Sequence, residues 1–262
     1  MSTIEEALRR LRDSPDAPAS GPAARRPGSG SGGDIARMKN PPAWPLSETE
    51  ARGIVDFTSA RQRAGHAFRQ LRTTLLQRTG GGNFILGITG VAQQAGTSFL
   101  ARNLAAAFAL DPTKTALLID CSLVDRTTTS LAMSPDGPGL VDYLCDDTIT
   151  IESIIRPSGI PRLRVIPAGS AGEVTGELYT GPRLRALFEQ LKRRYTDRYV
   201  LLDLPPVVEN ADARILAERC DWTLLVIPYG RVAEPRIEQA MDSLDQARLV
   251  GVVLNNDPPV IP

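Results

Sequence analysis

From Asn83 onward the chain alternates short, almost continuously apolar runs with stretches of helical periodicity. No other property of the sequence limits the fold as tightly. The runs are Phe84–Thr89, Ala116–Asp120, Leu163–Pro167, Tyr199–Leu204, Trp222–Ile227 and Val250–Asn255, and helical patterns occupy about 97–110, 181–195, 211–219 and 234–247. A strand apolar on both faces must be buried on both, as in a parallel sheet covered by helices. The alternation therefore predicts an α/β fold, a doubly wound and mostly parallel sheet with helices on both faces. Right-handed crossovers then carry every strand-to-helix loop to one edge of that sheet, where ligands bind.

The chain before Asn83 is organised differently. Residues 2–13 place Ile4, Ala7, Leu8 and Leu11 on one helical face, with Thr3 and Glu6 as a capping box. Twelve residues make a marginal helix in water, so this one needs a surface to dock on. Residues 14–46 carry seven prolines and five glycines, including GSGSGG at 28–33, and are expected to be a disordered linker. A second helical stretch is expected from about Ser47 to Arg78, with Phe68, Leu71 and Leu75 on one face and Gly80-Gly81-Gly82 ending it. The expected organisation is a docking helix at 1–13, a linker at 14–46 and one domain at 47–262.

Composition removes several classes of function. Thirty basic and thirty acidic side chains cancel, and only 13 residues are aromatic, which speaks against a dedicated nucleic-acid binder. The first 80 residues hold 13 basic and 8 acidic groups, so the cancellation conceals a basic N-terminal part and an acidic remainder. No run is long and apolar enough to span a bilayer, and the N-terminus lacks a signal-peptide core. Cys121, Cys145 and Cys220 are odd in number and lack metal-ligand spacing, which indicates neither a disulfide framework nor a zinc site. The expected location is cytoplasmic, peripheral to the membrane only through a partner. The basic set is 27 arginines and three lysines, Lys39, Lys114 and Lys192.

The loop after the first run is the informative one. Thr89-Gly90-Val91-Ala92-Gln93-Gln94-Ala95-Gly96-Thr97-Ser98 joins an apolar strand to a helix. Backbone N–H groups at a helix start present partial positive charge to a phosphate. In a working phosphate loop a lysine follows the second glycine and reaches the β- and γ-phosphates, and the next Ser/Thr holds Mg²⁺. Ser98 stands in the metal-ligand position, but Thr97 stands where the lysine belongs. Gly90, Ala95, Gly96, Thr97 and Ser98 are the candidate nucleotide-binding residues. Asp120 and Asp203 end two further strands as candidate metal ligands and catalytic acids, with Ser98 as a third metal ligand. Asn255 ends the last strand with an amide suited to an adenine edge.

From about residue 60 to 257 the chain resembles the cytoplasmic module of the bacterial tyrosine kinases that control capsule and exopolysaccharide assembly, P-loop proteins similar to the MinD and ParA ATPases. The resemblance rests on AlaPheArgGlnLeuArgThrThrLeu at 67–75, ThrAlaLeuLeuIleAsp at 115–120, GlyLeuValAspTyrLeu at 139–144 and LeuArgValIleProAlaGly at 163–169. TyrValLeuLeuAspLeuProPro at 199–206 and AsnAlaAspAlaArgIleLeuAla at 210–217 follow in family order. It implies a P-loop fold, ATP and Mg²⁺ as cofactors, and a membrane polysaccharide co-polymerase or an active kinase of the family as partner.

The departures from the family pattern fall on the chemistry. Gln93-Gln94-Ala95 stands where the family has Pro-Gly-Glu, and loss of the glycine that most cheaply adopts positive φ makes a reshaped cradle expected. The lysine is Thr97, and the second aspartate of the family's second motif is Ser122. The glutamate of its Glu-x2-Arg-x2-Arg ring-forming motif is His66, followed by Arg69 and Arg72. Those three residues are the candidate interface of a homo-oligomer, expected to assemble weakly. The five tyrosines all precede the last strand, whereas the family's substrate is a C-terminal tyrosine cluster. Lys114 is expected at the far edge of the sheet, which leaves Arg126 as the candidate substitute cation. The combination predicts a degenerate member acting as a regulatory or scaffold subunit. An active kinase that phosphorylates a partner is the alternative.

Overall fold

The computed structural model describes residues 41–59, 62–122, 128–134, 136–170, 176–194 and 197–256. Residues 1–13, nearly all of the expected linker, Lys39 and Arg126 therefore lie outside the described residues. Within 14–46, Trp44 is described: its N–H donates to the Gly159 carbonyl at 2.9 Å, its ring fills the space a side chain at 159 would need, and Arg52 stacks on it.

The strands are β1 (Ile85–Gly90), β2 (Thr115–Asp120), β3 (Arg156–Pro157), β4 (Leu163–Ile166), β5 (Arg198–Asp203), β6 (Trp222–Pro228) and β7 (Leu249–Asn255). They form one seven-stranded sheet in the order β3-β4-β2-β5-β1-β6-β7. All neighbours are parallel except β3, which pairs antiparallel to β4. The sequence pattern missed β3, a two-residue edge strand containing Pro157, a residue the interior of a sheet does not tolerate.

The helices are α1 (Leu46–Ala51), α2 (Arg63–Arg78), α3 (Thr97–Ala109), α4 (Leu140–Cys145), α5 (Ile151–Ile154), α6 (Gly176–Thr180), α7 (Pro182–Arg194), α8 (Ala211–Arg219) and α9 (Glu234–Asp242). Strand periodicity sorts the core into two layers. Ile85, Leu117, Ile119, Val200 and Leu202 pack on one face with Leu144, Leu187 and Leu216. Leu86, Ile88, Ala116, Leu118 and Leu201 pack on the other with Leu104 and Phe108 of α3 and Leu75 of α2. Helices cover both faces, as the apolar runs require.

The helix expected from Ser47 to Arg78 is two helices. Gly53 takes a left-handed conformation at φ +72° and stops α1. The segment that follows is strapped to α3: the fully buried Asn103 donates to the Gly53 carbonyl at 2.9 Å and accepts from the Val55 N–H at 2.8 Å. Arg102 adds a bond to the Arg52 carbonyl at 2.9 Å. A buried amide supplied by another helix has replaced the intrahelical partners, a competition local periodicity does not register. The pattern at 234–247 likewise ends early, at Asp242, where Ser243 caps α9.

Candidate functional site

Alternation along the strands decides where the polar ends point. On β2, Ala116 and Leu118 face α3, so Asp120 does too; on β5, Tyr199 and Leu201 do the same for Asp203. Asp120 and Asp203 are register partners at the ends of adjacent strands, and Asp203 also pairs with Ile88 of β1. Two carboxylates predicted only as strand ends thus stand side by side under the loop that joins β1 to α3.

Both are fully buried. Asp120 accepts from the Ser122 N–H at 3.2 Å and from its hydroxyl at 3.0 Å. Neither carboxylate oxygen of Asp203 has a hydrogen-bond partner. Burial, and then the charge of Asp120, push the Asp203 carboxyl up to about 7, against the weaker opposing pull of the Ser98 and Thr128 hydroxyls and the Arg102 guanidinium. Oxygen donors of this kind suit a hard cation such as Mg²⁺. Among the described residues no three His, Cys, Asp or Glu side chains converge on a point, so such a site would consist of two acids and hydroxyls.

The loop leads from the end of β1 into the N-terminus of α3. Gly96 at φ +88° is the N-cap of α3, and no side chain caps that helix, so its first N–H groups stay available to an anion. Gln94 adopts φ +58°, the left-handed conformation its glycine counterpart would adopt without strain. Gln94 therefore carries backbone strain at this position. Val91 N–H bonds to the Val226 carbonyl and Val207 N–H to the Gly90 carbonyl, each at 3.1 Å, which ties the loop to β6 and to the segment after β5.

Thr97 is folded inward. Its hydroxyl lies 2.7 Å from where a Cβ on Gly90 would stand, so it packs beneath the loop. Asn255 reaches the same loop, donating to the Ala95 carbonyl at 2.9 Å, and its amide fills the space beside Gly96. The amide expected at an adenine edge is thus engaged with the cradle. The described lysines are remote: Lys114 donates to Asn83 at 3.0 Å and Lys192 pairs with Asp221 at 2.6 Å, both at the opposite sheet edge.

His66 is exposed on α2. Arg69 donates to the Phe57 carbonyl at 2.6 Å, and Arg72 to the Ala107 carbonyl at 2.8 Å, at the C-terminal turn of α3. One nitrogen of each candidate interface arginine therefore holds its own chain together. Three residues near the loop escaped the sequence reading. Thr128 is buried facing Asp203, and Arg236 and Glu209 form an ion pair against the Val91 carbonyl. Arg236 was findable: it opens the helix after β6, at the sheet edge where strand-to-helix loops gather.

No protein-family profile matches the chain. It is 31% identical over 192 residues to the tyrosine-protein kinase CpsD of Streptococcus agalactiae serotype III (strain NEM316), covering 72% of this chain and 80% of that protein. The solved BceF tyrosine kinase domain superposes with a TM-score of 0.66 at 29% identity, over 79% of this chain and 86% of that one. A ParA family ATPase from Chlorobium tepidum TLS shares the fold alone, with a TM-score of 0.52 and 17% identity over 66% of this chain and 74% of its own.

Proposed function

The chain belongs to the bacterial tyrosine-protein kinase family, and we propose that it is a degenerate member, a regulatory or scaffold subunit of exopolysaccharide assembly without kinase turnover. The observation that carries this reading is Thr97, which stands at the lysine position and is packed beneath the loop against Gly90. Phosphoryl transfer is mostly positioning and electrostatic stabilisation, so a cation missing from the γ-phosphate removes a main contribution. One charge-assisted contact contributes roughly 1.5–3 kcal/mol, on the order of 10–100-fold in binding or rate.

The residues present fit Mg²⁺ with a nucleotide in outline: the orphaned oxygens of Asp203, the adjacent Asp120 and the Ser98 hydroxyl would hold the ion, and the uncapped start of α3 would face phosphate. When bound, the ion would neutralise phosphate charge. Asp203 would bind it in its deprotonated form, so affinity should rise with pH through about 7. The pairing of these two acids favours the second reading, an active ATP-dependent tyrosine kinase that phosphorylates a partner.

Calorimetry with Mg-ATP, alongside a turnover assay, separates the two. The expected result is weak binding and no turnover by the natural sequence, with Thr97→Lys binding at least about tenfold tighter. Tight binding with turnover by the natural sequence overturns the degenerate reading. In the same proposal residues 1–13 dock on the partner, a membrane polysaccharide co-polymerase or an active kinase of the family, and place the domain at the inner face of the membrane. Deleting them should abolish co-purification with either candidate; undiminished capture would refute the docking role.

A further inference from the structure

Thr97 leaves the loop without its expected cation, yet a cation is held against the loop from elsewhere in the chain. Arg236, in the first turn of α9, donates Nε–H to the carbonyl of Val91, the first residue after β1, at 3.2 Å. Its Nη2 pairs with the carboxylate of Glu209, in the segment that follows β5. Nη1 has no hydrogen-bond partner among the described residues. Arg102, on α3, is committed differently: it donates to the Ser98 and Arg52 carbonyls and holds the strap on that helix. Arg236 alone among these combines contact with the loop mouth, a free nitrogen and a solvent-facing partner.

The Arg236 side chain is 39% exposed and that of Glu209 35%. An ion pair this exposed adds little stability, so a multiply charged anion can take the guanidinium from the carboxylate at little cost. A guanidinium stays charged at any working pH and matches phosphate oxygens in a two-pronged geometry that an ammonium cannot. Its side chain is long and turns at the surface without disturbing the core.

We propose that Arg236 is the cation that meets a phosphate-bearing ligand at this loop in place of the missing lysine, with Glu209 holding it aside until the anion arrives. This rests on the reading that the loop keeps its anion cradle, and it goes further by naming the charge that serves it and the acid that competes. It also predicts a protein that binds phosphate groups weakly without transferring them, because the cation enters from the mouth of the loop and not from the lysine position.

The test is calorimetric titration of the full chain with inorganic pyrophosphate at low and at high salt. The natural sequence should bind weakly and more weakly in high salt. Arg236→Gln should lose about tenfold or more, with a flatter salt dependence, the worth of one charge-assisted contact. Arg236→Lys should stay within a few-fold of the natural protein, and Glu209→Gln should bind more tightly. Equal binding by Arg236→Gln, loss of equal size in Arg236→Lys, or no binding by any variant including Glu209→Gln overturns the proposal. Should Arg236→Gln fail to fold by thermal unfolding, Glu209→Gln decides alone: tighter binding supports the proposal and unchanged binding overturns it. Turnover of ATP by the natural sequence would overturn the degenerate reading instead, a result scored separately from pyrophosphate affinity.

Discussion

The two edges of the sheet treat their aspartates in opposite ways. At the edge where strands begin, Asp221 accepts from the Ile85 N–H at 2.9 Å and from Lys192 at 2.6 Å. Beside it Arg248 donates to the Glu218 and Cys220 carbonyls. At the edge where strands end, Asp203 is fully buried with neither carboxylate oxygen hydrogen-bonded, and Asp120 stands next to it. The same edge holds Gln94 in a left-handed conformation and Gly96 pressed by Asn255. Charges at the first edge secure the fold. At the second edge strain and uncompensated charge persist, as they do where a site is kept for something other than stability.

The sharpest way to break this contrast is to neutralise each aspartate in turn. The fold holds the Asp203 proton up to about pH 7, whereas the unfolded chain releases it near 3.8. The unfolded state therefore binds fewer protons across that window, and this group lowers stability as pH rises through it. Asp203→Asn should remove that slope and raise the stability of the ligand-free protein above pH 7 by a few kcal/mol, with about 4 kcal/mol as the ceiling. Asp221→Asn should act in the other direction, costing about 1–2 kcal/mol through weakened charge-assisted bonds. Denaturant unfolding from pH 4 to 8 checks both signs; equal destabilisation by the two substitutions would erase the distinction between the edges.

A smaller effect sharpens the contrast inside the loop. Gly96→Ala places a Cβ against the Asn255 amide at a residue with φ +88°, and should cost about 2–3 kcal/mol. Adding Asn255→Ala should recover the steric part and leave the backbone part. Gln94→Gly, two residues earlier, should stabilise the protein by about 1 kcal/mol, because φ +58° suits glycine. Opposite signs in thermal unfolding are the expected outcome; stabilisation by both would mean that the loop is not strained where its dihedrals place the strain.

Much of the fold was legible because its signals are local. Each apolar run that predicted a strand is a strand in the sheet, within one residue at either end, since burial on both faces leaves little freedom in composition. The exchange of lysine for Thr97 and the acids Asp120 and Asp203 could be read directly, as their positions follow from where strands stop. The break after Ala51 was hidden, because it depends on Asn103, 48 residues from Val55. The position of Arg236 at the ligand edge was legible, but its contact with Val91, 145 residues away, was hidden for the same reason.

By itself the sequence determined the alternation of strands and helices, the edge at which polar ends gather, and the absence of lysine from the phosphate loop. Those follow from periodicity and residue identity, which act over a few residues. Only the tertiary structure decided that Asp120 and Asp203 stand on one face as neighbours, that Thr97 turns beneath the loop, and that Asn255 and Arg236 reach it from distant strands and helices. Register, burial and charge coupling arise between segments far apart in the chain, so they exist only once the sheet has brought those segments together.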